Sequence, residues 1–218
     1  MTEEKTTNPQ DNQQTFQDEQ TGFLPIKDPA DNIQKPSLML HSCCGPCSTV
    51  AVERLTGEFK INVFFYNPCI TDEEEYKRRR QSQIDFINQY NESFPPKEQI
   101  HFMEGPYDPK NYLKATKGLE GEPEGGKRCR ECFLMRLEKA AEAANLAGCD
   151  YFGTTLTVSP HKNSEILGRV GQSLALKYGL SFVDRDLKKQ NGYQRSVELS
   201  RHYNLYRQDY CGCEYSKK

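Results

Sequence analysis

Cys43, Cys44 and Cys47 lie within the stretch SCCGPC, where a brief apolar run gives way to a helix-forming segment. Two further pairs follow: Cys129 and Cys132 in CREC at the opening of a later helix, and Cys211 and Cys213 in CGC near the C-terminus. A C-x-x-C at a helix N-terminus aims both sulfurs one way, and the helix dipole favours thiolates there, so the spacing suits a metal. A structural zinc held by four thiolates is the simplest occupant. Seven grouped cysteines exceed one tetrahedral zinc, however, and a vicinal pair is unusual in a zinc ribbon. An iron–sulfur cluster with four thiolate ligands would leave three over. Cys211 and Cys213 are near enough in the chain for a strained, easily reduced disulfide able to carry two electrons; equally, they could supply two more metal ligands. Cys149 and Cys69 lack spaced partners and are expected to pack as small hydrophobes.

Other groups offer weaker signals. The basic run Lys77 to Arg80 reads as a solvated helix face. The turn TTLTVSPHKN offers hydroxyls and Lys162 beside a helix start, a setting suited to phosphate, although the same residues also simply make turns. Tyr203, Tyr206 and Tyr210 interleave with Arg207 beside CGC; such a set can clamp a nucleotide, and tyrosines also serve as packing. His41 and His101 alternate within strand patterns and read as structural.

The chain has 218 residues, enough for one sizeable domain. It has no run of 18 apolar residues, and its first residues lack the basic flank and apolar stretch of a secretory signal, so a cytoplasmic location without membrane attachment is expected. In a reducing compartment, nine cysteines argue for metal or thiol chemistry over a disulfide scaffold. Net charge is -2, but it is unevenly spread: residues 1–36 carry 3 Lys against 7 Asp plus Glu, leaving 26 basic and 24 acidic residues in the remainder. The body is therefore mildly basic, short of a strong polyanion binder. Residues 1–36 hold too few large apolar groups to offset chain entropy and are expected to form a disordered acidic tail, with the domain spanning 37–218.

Strands and helices alternate along that domain. SLMLHS, KINVFFYN, EQIHFME, CDYFGTT and LSFVD read as strands. Helices are expected over STVAVERLTG with Gly57 as C-cap, over EEEYKRRRQSQIDFINQYNES capped by Thr71 or Asp72, and around PKNYLKATK. Three more are expected over RCRECFLMRLEKAAEAANLAG, NSEILGRVGQSLALKYG and GYQRSVELSRHYNLY. In the fourth, Leu134, Leu137, Ala141 and Ala144 mark the apolar face. The alternation predicts an α/β domain with a mostly parallel sheet covered by helices on both faces. The working site of such a sheet lies outside the carboxyl ends of its strands, where Cys43 and Cys44, Asn67 to Cys69, and Thr154 to Ser159 fall.

Five blocks in order, LHSCCGPCS, FFYNPCITDEEEYKRR, RCRECFLMRL, FGTTLTVSPHKN and YRQDYCGCEYS, resemble the QueH family of cobalamin-independent epoxyqueuosine reductases over about Ser37 to Ser216. The fold this implies is Rossmann-like, of the nucleotide alpha-hydrolase kind. The resemblance implies a [4Fe-4S] cluster held by Cys43, Cys44, Cys129 and Cys132. It also implies that Cys211 and Cys213 are redox-active or bind a second metal, an additional iron, which Cys47 would complete. The chain departs from the pattern at Cys69, where Asn is expected, and at Leu187 to Lys189, where an aromatic and an arginine are expected after the aspartate.

The activity so implied is conversion of epoxyqueuosine to queuosine at the wobble position of tRNA. The epoxide oxygen leaves as water, with two electrons and two protons consumed. Tyr66, Tyr210 and Asp186 are candidate proton donors, and Arg79, Lys162 and Arg207 candidate phosphate or ribose contacts. Partners would be the modified tRNA and an electron donor such as a flavodoxin or ferredoxin. Two rival readings are an iron–sulfur tRNA thiolation enzyme and a zinc-stabilised nucleic-acid-binding module. The first normally carries a Gly-rich ATP loop after its first strand, where this chain has SCCGPCS.

Overall fold

SLMLHS is apolar on both sides, the pattern of a strand covered on both faces, and it forms the middle of the sheet. In the computed structural model, which describes residues 35–217, Ser37–Ser42 is β1, with five of its six residues buried. β1 pairs in parallel with β2 (Lys60–Phe65) on one side and β4 (Tyr151–Thr154) on the other. β3 (His101–Glu104) extends the sheet beyond β2 and β5 (Ser181–Phe182) beyond β4, so the order is β3-β2-β1-β4-β5, parallel throughout. This is the all-parallel α/β architecture that the alternation predicts. The helices are α1 (Gly45–Leu55), α2 (Glu73–Asn91), α3 (Pro109–Ala115), α4 (Lys127–Leu146), α5 (Ser164–Tyr178) and α6 (Gly192–His202).

Successive strand residues face opposite ways, and β1 feeds two cores. Met39 points to one face, where Phe152 of β4 meets Leu137 of α4 and Leu167 of α5. Leu38 and Leu40 point to the other and meet Val52 of α1, Phe86 of α2 and Leu199 of α6. Each such side chain contributes about 1.5–3 kcal/mol on burial, and the two sets together pin β1 in register between two helix layers. Cys149 is buried in the first core, as its packing role requires.

Several boundaries differ from the sequence reading. α1 starts three residues earlier than expected, at Gly45, and stops at Leu55 with Thr56 as cap; Gly57 does no capping. Asp72, rather than Thr71, caps α2 by accepting from Glu75 N at 3.2 Å. On α4 the buried line is Phe133, Leu137, Ala140, Ala141 and Ala144, and Leu134 faces solvent at 39% exposure. A residue one position away lies about a quarter-turn round the helix, so Phe133 takes the place Leu134 was expected to fill. α6 ends at His202, and Asn204 turns into the left-handed region at φ 49°. The expected disordered tail lies, as far as residue 34, outside the described residues. Its expected last residue, Pro36, already belongs to the fold, since Pro36 O accepts from Lys60 N at 2.9 Å. Among the described residues no helix is long and apolar enough to cross a membrane.

One glycine sets where α1 meets α2. A Cβ at Gly45 would sit 2.6 Å from Ser82 O and 2.8 Å from Ser82 Oγ. Gly45→Ala should therefore cost about 1–3 kcal/mol through forced separation of the two helices. A lowered denaturation midpoint in a urea titration checks this.

Candidate metal centre

The strand order reverses between β1 and β4, and open parallel sheets bind their ligands outside the carboxyl ends at that reversal. β1 runs straight into Cys43 and Cys44 there, and β4 into Thr155, whose Oγ1 lies 3.8 Å from Cys43 Sγ. Because α1 begins at Gly45, Cys44 is its N-cap and Cys47 falls in its first turn. The three sulfurs of Cys43, Cys44 and Cys47 all lie within 4.8 Å of one another, and those of Cys43 and Cys44 are 3.7 Å apart. Hydrogen bonds from Cys43 and Cys47 hold the Cys44 thiol well below the usual range, and hydrogen bonding with Cys43 and Cys44 pushes Cys47 well above it. Gln208 Nε2 adds a donor to Cys44 Sγ at 2.9 Å.

α4 brings the second pair. Cys129 accepts from Gly125 N at 3.2 Å and belongs to the core against which Cys43 packs. Cys132 turns toward a different neighbourhood, with Phe65, Cys69, Ile70, Tyr112 and Cys213. Cys69 is fully buried, as expected of a packing residue, but it also adjoins reactive groups. Its thiol is held down to about 6 by hydrogen bonding with Cys132; burial opposes this, and the nearby Arg136 guanidinium, which donates to Cys69 Sγ, assists. The four expected cluster ligands thus occupy neighbouring environments and do not form one tight quartet. The described sulfurs close enough together to share one metal ion are those of Cys43, Cys44 and Cys47. The donor set is also all thiol, the composition that iron–sulfur clusters and thiolate zinc sites take.

The C-terminal loop forms part of the cleft wall. Cys211 lines the cleft, and Cys213 is buried against the group containing Cys69 and Tyr112; all nine cysteines are free thiols. Gly212 makes this divergence possible: its φ of +129° favours glycine, and a Cβ there would lie 2.9 Å from Ile70 Cγ1. Arg79 holds the loop in place, donating to Cys211 O at 3.0 Å and Tyr210 O at 3.1 Å while pairing with Glu75 at 2.6 Å. It also stacks over the Tyr210 ring at 4.8 Å. Arg79 was expected to lie on a solvated face and to contact substrate. The structure buries it to 1% exposure and commits its guanidinium within the chain, so it acts as a clamp.

The cleft measures about 250 Å³ and is lined by Cys43, Cys47, Cys211, Arg136, Lys162 and Arg207, among others. Lys162 Nζ pairs with Glu124 at 3.1 Å; burial opposes its charge, but Cys211 and Glu124 more than offset that and raise its pKa. Arg207 stacks on the Tyr193 ring at 5.2 Å. Of the three candidate proton donors, Tyr210 lines the cleft, Tyr66 is 4% exposed, and Asp186 is engaged by Lys188 and Ser164, each at 3.1 Å. Leu187, in the divergent stretch, is buried in the core that holds α1 and α6. His41 is buried, with ring nitrogens 3.0 Å from Thr154 Oγ1 and from Tyr66 O, and burial holds its imidazole down to about 4; His101, by contrast, is exposed. Sequence reasoning missed Glu75 and Arg136. Arg136 sits one turn beyond Cys132 on α4, a spacing that would have placed it on the same face.

A parallel α/β fold whose switch point gathers thiols from three separate segments, with buried cations among them, defines a thiolate-based oxidoreductase or metal protein. Comparison with known proteins narrows that class. Residues 38–218 match the family model described as epoxyqueuosine reductase QueH. A protein of that name from Streptococcus pyogenes serotype M1 is 44% identical over 184 residues, covering 84% of this chain and 71% of its own. One from Staphylococcus epidermidis is 42% identical over 185 residues, covering 84% and 77%, and one from Thermotoga maritima 33% over 186, covering 83% and 90%. The chain belongs to the QueH family.

Arg79 and Glu75 are each 1% exposed, and without Arg79 the buried Glu75 carboxylate keeps only Arg78 and the Tyr206 hydroxyl, both on Oε2. Arg79→Ala should cost about 3–5 kcal/mol. Arg79→Met combined with Glu75→Gln should recover most of that loss, as read from urea denaturation midpoints.

Proposed function

We propose that this chain is a cobalamin-independent epoxyqueuosine reductase that converts epoxyqueuosine to queuosine at the wobble position of tRNA. Beyond family membership, one observation supports the reading most: Cys43, Cys47 and Cys211 line one cleft together with Lys162 and Arg207. Thiols for electron chemistry and cations for a nucleic acid thus share a single concavity. The reaction breaks both carbon–oxygen bonds of the epoxide, forms an alkene and releases water, consuming two electrons and two protons.

In this reading Cys43, Cys44, Cys129 and Cys132 hold a [4Fe-4S] cluster, and Cys211 and Cys213 are redox-active or take an additional iron with Cys47. Such a centre supplies electrons one at a time. The chain itself supplies position and protons. Lys162 and Arg207 contact phosphate or ribose, Arg207 being held by its stack on Tyr193. Tyr210 gives the proton to the departing oxygen: it lines the cleft, and its phenol is raised by burial, with the Glu75 charge adding to the effect, so it is protonated at neutral pH. Arg79 fixes the Tyr210 backbone and covers its ring, leaving the hydroxyl as its reactive end. The volume, about 250 Å³, suits one turned-out modified base and leaves the rest of the anticodon loop on the rim. Electrons come from a small carrier such as a flavodoxin or ferredoxin.

The experiment is reduction of epoxyqueuosine in tRNA by anaerobically prepared protein with a chemical reductant, followed by nucleoside analysis. The wild type should produce queuosine and Cys129→Ala should not; queuosine formed equally by both removes the cluster role of Cys129. Tyr210→Phe should retain tRNA affinity while turnover falls by about 10²–10⁴, measured in the same assay alongside a filter-binding titration.

A further inference from the structure

One charged group at the site has no conventional partner. Arg136 is 1% exposed, yet its hydrogen-bond acceptor is the sulfur of Cys69 and its Nε has none. Among the described residues no carboxylate pairs with it. Of the other two buried guanidiniums, Arg79 is neutralised by Glu75, and Arg128 donates Nη1 to the carbonyls of Leu119, Glu120 and Glu122, although its Nε too is unpaired. Cys69 is the one anionic contact it has among the described residues, and its buried Nε stays unpaired, so the guanidinium keeps capacity for further negative charge.

Position says where that charge would come from. Arg136 lies four residues after Cys132 and seven after Cys129 on α4, hence on the helix face that carries both sulfurs. It also lines the cleft with Cys43 and Cys211. The groups acting on it most strongly are all thiols: Cys132, Cys69, Cys211 and Cys43. Burial opposes its charge, and these neighbouring sulfurs more than offset that opposition. A guanidinium in such a place repels a bare divalent cation and attracts an anionic body. A thiolate-ligated iron–sulfur cluster is anionic, and becomes more so when it takes an electron.

We propose that Arg136 is the fixed counter-charge of the cluster, a positioning residue that stabilises the reduced form and so raises its reduction potential. The inference rests on the metal-centre reading above. Cys69, at a position where the family pattern leads one to expect Asn, keeps the guanidinium aimed inward by accepting from it.

The test is potentiometry, with iron and sulfide content, on anaerobically purified wild type, Arg136→Met and Arg136→Lys. Arg136→Met should disfavour reduction at least tenfold, a shift of about 59 mV to more negative potential for one electron. Arg136→Lys should stay close to wild type. If Arg136→Met loses its iron while Arg136→Lys keeps it, the charge is required for assembly, which also supports the proposal. An unchanged potential in Arg136→Met, or equal loss of iron from both variants, overturns it and leaves the reductase reading intact. A wild type without iron and sulfide overturns both.

Discussion

A buried ion pair on α2 holds the site together. Glu75 and Arg79 are one helical turn apart and both almost inaccessible, and the guanidinium uses its remaining donors on the carbonyls of Tyr210 and Cys211, more than 130 residues away in the chain. Tyr206 adds to the same node by donating its hydroxyl to Glu75 Oε2 at 2.8 Å. Buried pairs bring little net stability, because desolvation consumes most of the attraction. This pair instead specifies a place: with two charges to satisfy, the C-terminal loop has one way to lie. Cys211 then meets the cleft and Cys213 the interior, and the CGC motif is joined to cysteines that the sheet alone would have gathered without it.

The sheet supplies the rest of the convergence. β1 is central, covered on both faces and flanked on both edges, so Ser42 and the cysteines after it are fixed by the most buried strand of the fold. α1 starts at once because Gly45 tolerates the close approach of α2, and this sets Cys44 and Cys47 in the first turn. α4 contributes its own N-terminal turn from the opposite helix layer. Cys43 and Cys47, at the start of α1, and Arg136 of α4 thus line one crevice from the two helix layers. Lys162 and Arg136 add full positive charges, so the region is built to concentrate negative charge.

Much of this was legible in the sequence. Alternation of apolar runs with helix patterns specified a parallel α/β fold, and the cysteine spacings marked the edge on which chemistry would fall. Periodicity could not decide which of two adjacent residues, Phe133 or Leu134, faces the core, since that depends on how α4 rolls against β1 and β4. Charge composition misled at Arg79: a run of basic residues on a polar helix looks solvated, and only a distant loop returning over the helix buries one of them. Cys69 was read as packing because its neighbour Cys132 is 63 positions away, a contact no local pattern reveals. Arg136 was overlooked for a simpler reason, as its spacing from Cys132 was visible but its lack of a carboxylate partner was not.

The proposed reductase requires a thiolate-held iron cluster at the β1/β4 switch point. The most direct test is anomalous diffraction at the iron and zinc edges from crystals grown without oxygen. The account predicts a compact group of irons bordered by the sulfurs of Cys43, Cys44, Cys129 and Cys132. A single zinc among Cys43, Cys44 and Cys47, with no iron elsewhere in the cleft, would contradict it.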